Sequence, residues 1–321
     1  MVRILLSLLA FVLSAPAYSQ IVWEMPTEYP ASAMPGEGVT TFAAAVEKRL
    51  AGKLVVKPSY NAERGIKSAE MPAAIAAGTI QAADAFGGAL GSTSPVFALP
   101  SLPFLATSLA DARRLADLGR PLYEQILAGK GLKLLYMTPW PPSGIWSKLP
   151  ITTAADLKTL SIRTYDATSS DVFNAAGAKA QNLSFADVMP KLTDGSVTAV
   201  LSSGDGGAGR RLWTFLPHFA QVNYAVPLSF AFVSKMAYDA LPEDQRRAVD
   251  EAASETETRQ WQAIAGRLEA NYATMRANGV TIIDAPADVA TLLKAAAAPA
   301  VESWVQGAGE PGRAVLSAFR R

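Results

Sequence analysis

The sequence predicts an α/β protein, and three observations carry that prediction. Between Leu157 and Gly207 strand and helix patterns alternate as β-α-β-α-β, which describes consecutive βαβ units and hence a mostly parallel sheet. The 321 residues, 50% of them hydrophobic, suffice for two lobes of ordinary domain size. A helical repeat from Pro242 to about Ala277 exceeds the usual globular length, and a brace spanning two lobes accounts for it.

At the N-terminus, Arg3, the apolar run Ile4–Leu13 and the small residues of Ala15-Pro16-Ala17 have the order of an export signal. The apolar run is half the roughly twenty residues that span a bilayer, so residues 1–17 read as a cleaved signal peptide rather than an anchor. Ile21–Met25 is a first strand and Pro30–Gly38 a loop. Val39, Phe42, Ala43, Val46 and Leu50 are spaced for an amphipathic helix closed by Gly52, and Lys53–Tyr60 is the next strand. Tyr60-Asn61-Ala62-Glu63-Arg64-Gly65 suits either a cleft loop or a plain turn. Ser68–Ala77 is a short helix stopped by Gly78, and Thr79–Phe86 a strand. Gly87-Gly88 beyond it lets backbone approach closely, but Gly87–Gly91 matches neither a phosphate loop nor a dinucleotide site. Pro95–Phe104 is a proline-punctuated apolar turn, and Ser108–Leu118 and Pro121–Ala128 are two helices. Lys133–Met137 is a strand that runs into Thr138–Trp146, where three prolines and two tryptophans suggest a stiff crossover between lobes.

The central stretch opens with the strand Thr159–Tyr165, which carries Arg163 near its end. Ala167–Ala176 is a helix with Val172, Phe173 and Ala176 on one apolar face, ended by Gly177. Ala178–Leu183 returns as a strand, and Ser184-Phe185-Ala186-Asp187 has capping-box spacing for a helix through Leu192. Thr198–Ser203 is a third strand, leading into Gly204-Asp205-Gly206-Gly207. In such sheets ligands bind beyond the carboxyl ends of the strands, where Arg163 and Ser202–Asp205 fall. Gln221–Tyr238, interrupted by Pro227, reads as two strands crossing back to the first lobe. In the long helix Val249, Ala253, Trp261, Ile264, Leu268, Tyr272 and Met275 follow the helical repeat. Val280–Asp284 is a last strand and Ala285–Arg321 an alanine-rich helical tail.

Composition excludes several function classes. Twenty-nine basic against 28 acidic residues leave no concentrated basic face for nucleic acid. With no cysteine there is no thiol nucleophile, thiolate metal site or disulfide. The one histidine, His218, reads as a partly buried residue after Pro217. No Gly-x-Ser-x-Gly elbow is present, so no enzymatic activity and no cofactor are expected, a periplasmic hydrolase being the minor alternative.

Ile162-Arg163, Ala176-Gly177-Ala178 and Leu192-Thr193-Asp194-Gly195 resemble the middle of the substrate-binding receptors of tripartite ATP-independent periplasmic (TRAP) transporters. Ala98–Leu105 resembles that family's Leu-Pro-Phe turn, and Ala240–Gln245 its lead-in to a long C-terminal helix. The resemblance implies a two-lobed periplasmic-binding-protein-like fold with mixed sheets and a hinge. Lobe I would comprise residues 18–139 with a strand return at about 229–241, and lobe II residues 140–228, with 242–321 as bridging helix and tail. It further implies a monomeric periplasmic receptor that captures an organic acid between its lobes and delivers it to TRAP permease membrane subunits. A receptor presenting its solute to a membrane sensor would have the same sequence features.

Arg163 matches the family's ligand-clamping arginine. A guanidinium offers a planar fork to a carboxylate, although a surface pair with Asp166 or Asp171 would also suit it. Two departures matter: Ser202 stands where the family has Asn, and no second arginine lies near Trp146. A less polar monocarboxylate then fits better than an acidic sugar or a C4-dicarboxylate, with Trp140, Trp146, Trp213 and Phe230 as either ligand walls or interlobe packing. Tyr60, Asn61, Phe86, Gly87, Ser203 and Asp205 complete the candidate ligand contacts.

Overall fold

The computed structural model describes residues 20–321, so the export-signal features at Arg3, Ile4–Leu13 and Ala15–Ala17 lie outside the described residues. Among these, the strands are β1 (Ile21–Pro26), β2 (Leu54–Ser59), β3 (Ala82–Phe86), β4 (Leu132–Pro139), β5 (Ser143–Ser147) and β6 (Ser161–Thr164). They continue with β7 (Lys179–Asn182), β8 (Ala199–Ser203), β9 (His218–Gln221), β10 (Leu228–Ser234) and β11 (Thr281–Asp284). The fold is the two-lobed α/β arrangement of periplasmic binding proteins.

One lobe is built on the antiparallel sheet β3-β10-β4, joined to the parallel pair β1-β2 by a bridge between Thr27 and Asp84. Alternate residues of β10 serve opposite faces, as the strand period of two requires. Phe230 and Phe232 enter the core under the helix Leu109–Ala128, and Ala231 and Val233 the core under the helix Met34–Leu50. The helix Leu109–Ala128 continues through Pro121, where two helices were expected. Leu115, Ala116, Tyr123 and Leu127 form one buried face across the proline, which costs the helix an amide donor.

The other lobe holds the six-stranded sheet β11-β9-β5-β8-β6-β7. Its β7-β6-β8 part is parallel, as the βαβ pattern predicts, whereas β5 runs antiparallel to both neighbours because it arrives directly from the other lobe. Strand β6 is shorter than its β-branched run. Asp156 instead accepts backbone bonds from Thr152 and Thr153, which favours a tight helical turn over Ala154–Thr159. The helix Ala167–Ala175 begins at Asp166, whose carboxylate accepts from the Ser169 amide at 2.7 Å, and ends before Gly177 at φ +94°.

The helix Glu243–Ala277, 35 residues long, braces the two lobes. Its inward face is partly polar, and Gln260, Glu257 and Asn271 on it have partners across the helix boundary. Gln260 donates to the Met34 carbonyl at 3.0 Å, Glu257 accepts from the Met137 amide at 3.0 Å, and Asn271 donates to Asp205 at 3.1 Å. Asp205 is 2% exposed and also accepts from the Met34 amide at 2.7 Å, with Arg267 3.5 Å away. It thus ties the end of β8, the start of the helix Met34–Leu50 and the brace together.

Because hydrogen bonds to a charged group are worth about 1.5–3 kcal/mol each, Asp205→Ala is expected to lower stability in urea unfolding by about 3 kcal/mol. A second prediction concerns Asp84, which is fully buried, accepts from Thr27 at 3.3 Å through Oδ1 and leaves Oδ2 without a partner. Burial pushes its pKa from 3.8 up to about 8. Between those values the native protein holds a proton that the unfolded chain has lost, so stability falls as pH rises and levels off above about 8. Thermal unfolding from pH 5 to 8 should show this decline, and Asp84→Asn should flatten it.

Candidate functional site

The cleft between the lobes is lined by segments that leave strand ends, and Arg163 sits at its base. The β6 backbone is paired on both sides, so the Arg163 side chain rises among carbonyls. Nε donates to Leu183 O at 2.9 Å and Nη1 to Leu201 O at 3.2 Å. The guanidinium lies 5.3 Å from the Phe185 ring centre, and Arg210 lies 5.5 Å from the same ring. Among the described residues Arg163 makes no ion pair and Nη2 makes no hydrogen bond, although the residue is only 3% exposed. Burial lowers its pKa from the ordinary value, and nearby Tyr29 and Glu28 act in the opposite direction. Two of its five N–H groups are spent on carbonyls; the other three remain for an anion.

Around this charge is a narrow inner chamber. Its walls are aromatic: Tyr29 meets Trp140 edge-on at 4.6 Å and Phe185 at 5.4 Å, while Phe86 meets Tyr165 at 5.2 Å. Trp140 is fixed by its indole N–H, which donates to Ser229 at 3.0 Å. The polar part of the wall comes from Ser143, Ser202 and Ser203, and from the buried Tyr165 hydroxyl. The chamber opens into a wider outer cleft bounded by Glu28, Lys67, Gly88, Asp166 and Ser184.

Contacts across the cleft hold it shut. The Glu28 carboxylate, from the loop after β1, accepts from Ser184 Oγ at 2.5 Å and the Ala186 amide at 2.9 Å on the opposite side. On its own side it accepts from the Ser68 amide at 3.0 Å. Burial alone would raise the Glu28 pKa, but the bonds from Ser184, Ser68 and Ala186 together hold it below the ordinary value. Lys67 and Asp187 add an ion pair at 2.8 Å.

Of the residues singled out in the sequence, the structure brings Arg163, Trp140, Phe86, Ser202 and Ser203 to the chamber. The others lie elsewhere. Trp146 is fully buried in the lobe core, packs on Phe219 at 5.2 Å and donates to the Ser203 carbonyl; its ring occupies the space a side chain at Gly207 would fill. Trp213 is packed against the same core. Phe230 points to the far face of its sheet, against Phe97 and Tyr123, and Gly87 is pressed onto that ring. Tyr60 bonds to Thr40 at 2.7 Å, and Asn61 forms a left-handed turn whose amide holds the Tyr29 carbonyl at 3.0 Å. Asp205 is the structural junction described above.

Tyr29, Glu28, Tyr165, Phe185 and Ser143 were not singled out as ligand contacts. The available signal was position: Glu28-Tyr29 follow β1 and Tyr165 follows β6, both beyond carboxyl ends of strands. Phe185 could be read only as part of a helix-capping segment.

The family description "Bacterial extracellular solute-binding protein, family 7" matches residues 26–307. A solute-binding protein of Verminephrobacter eiseniae is 26% identical over 257 residues, covering 78% of this chain and 75% of that protein. Among solved structures, a Bordetella pertussis extracytoplasmic solute receptor binding pyroglutamic acid is 31% identical, with a TM-score of 0.89 over 94% of this chain and 99% of its own. A marine-metagenome TRAP solute-binding protein specific for pyroglutamate is 28% identical, with a TM-score of 0.88 over 94% of this chain and 99% of its own. With a family match over most of its length and a fold shared from end to end, the chain belongs to the family 7 bacterial extracellular solute-binding proteins, the non-enzymatic receptors of TRAP transport.

Proposed function

We propose that the protein captures a small monocarboxylate in the periplasm and delivers it to a TRAP permease, with pyroglutamate the first candidate. The observation that carries this reading is the Arg163 guanidinium, buried without a counter-ion and with its free N–H groups at an aromatic chamber. A buried charge left unpaired is costly, and an incoming carboxylate removes that cost while taking the fork in two parallel bonds. The chamber has a single arginine, so it favours one carboxylate over two. Tyr29, Phe86, Trp140 and Phe185 offer apolar faces suited to a compact ring rather than to a chain of hydroxyls. Two relatives with the same fold, at 31% and 28% identity, bind pyroglutamate, a five-membered ring bearing one carboxylate.

Calorimetry with pyroglutamate is expected to show saturable one-to-one binding. Arg163→Ala should weaken it by about 2–5 kcal/mol, or about 30-fold to several-thousand-fold. Arg163→Lys keeps the charge without the fork and should recover only part of that loss. Undiminished binding by a folded Arg163→Ala variant would remove the clamp from the account. Small-angle scattering should show a more compact bound form, because the Glu28 and Lys67 contacts across the cleft must break for ligand to enter. Identical profiles at ligand saturation would refute hinge closure.

A further inference from the structure

The outer cleft contains an acceptor that neither the fold nor the clamp uses. Asp166 is 3% exposed, and its Oδ1 is fully engaged, accepting from the Ser169 amide at 2.7 Å and the Ser169 hydroxyl at 2.6 Å. Its Oδ2 is buried with no partner among the described residues. The residue lines the cleft together with Arg163, Tyr165 and, from the facing lobe, Gly88. A side chain at Gly88 would have its Cβ 3.0 Å from Asp166 Oδ2 and 2.5 Å from the Phe86 ring. The Gly88 backbone and the Phe86 ring are therefore packed closely against an unused carboxylate oxygen, where a side chain has no room.

The geometry points to Asp166 as a specificity-determining residue: Oδ2 accepts a hydrogen bond from an N–H group of the ligand whose carboxylate lies on Arg163. This rests on the carboxylate reading of Arg163 and narrows it to acids that carry an N–H donor. An N-cap aspartate needs only one oxygen for its helix, so the cap does not require the second. Burial pushes the Asp166 pKa up to about 6, against the pull of the Ser169 bonds and Arg163. A buried acceptor discriminates strongly, because an analogue without the donor leaves it unpaired in the closed cleft. A lactam N–H and a ring ammonium share this donor chemistry, and pyroglutamate and proline distinguish them.

The test is calorimetry of the intact mature protein with pyroglutamate, proline and tetrahydrofuran-2-carboxylate, which keeps the ring and carboxylate but has no N–H. The parent should prefer an N–H acid over the furan acid by about 10- to 100-fold, the worth of a hydrogen bond to a charged group. In Asp166→Asn the amide can still cap the helix but presents a donor to the cleft, and that preference should collapse to within about threefold. A parent that binds all three acids equally, or an Asp166→Asn variant that keeps the full preference, overturns the role of Asp166. Should either result come with loss of every acid in Arg163→Ala, the carboxylate clamp survives. A parent that binds none of the three overturns both. The comparison on the parent alone decides the matter even where the variant does not fold.

Discussion

The cleft is organised around one unpaid electrostatic cost, the burial of the Arg163 charge with no ion-pair partner among the described residues. Two backbone carbonyls and the face of Phe185 stabilise the guanidinium partially, and they also fix its orientation. Neutral dipoles do this without cancelling the charge, which leaves the site selective for an anion. Replacing those carbonyls by a carboxylate would satisfy the arginine internally and abolish the reason for a ligand to bind. The parallel β7-β6-β8 arrangement matters here because it places Leu183 and Leu201 carbonyls on either side of Arg163.

Such a site works only where water is excluded, and that depends on lobe closure. The Glu28 carboxylate accepts hydrogen bonds from both sides of the cleft, so the mouth is held by bonds to a charged group without an opposing lysine or arginine on that group. These contacts are local and few, whereas the brace Glu243–Ala277 makes extended contacts along its length and is tied to both sides through Gln260, Glu257 and Asn271. The difference separates a latch that must open from a hinge-side support that must not. Asp205 lies on the supporting side and does not line the chamber.

Selectivity follows from the remaining walls. The aromatic residues limit size and exclude solvent, while Ser143, Ser202 and the Tyr165 hydroxyl supply isolated polar groups. Ser202 lines the chamber, and the Trp140 ring, held by Ser229, forms another part of its wall. In the proposed reading the arginine supplies binding strength, and the geometry of a few neutral groups selects among acids.

The sequence by itself determined the alternation of strands and helices, the glycine and aspartate caps, the long brace and the position of Arg163 near the carboxyl end of a strand. These are properties of neighbouring residues, set by periodicity, capping chemistry and backbone freedom. Which strand-end residues face the ligand was decided only by tertiary structure. Trp140 and Trp146 lie in the same proline-rich crossover, yet the first forms a chamber wall and the second fills the core beside Gly207. Ser229 and Phe230 are adjacent, yet one steadies Trp140 at the cleft and the other packs on Tyr123. The same one-residue choice separates Gly87, against the core, from Gly88, at the cleft. Strand side chains alternate between faces, and a sheet covered by helices on both faces is apolar on both, so its sequence does not distinguish the face that continues into the cleft. For Phe86 and Ser229 that choice is made by pairing between β3, β4 and β10, and for Ser143, Arg163 and Ser202 by pairing among β5, β6, β7 and β8, in each case including strands far apart in the chain.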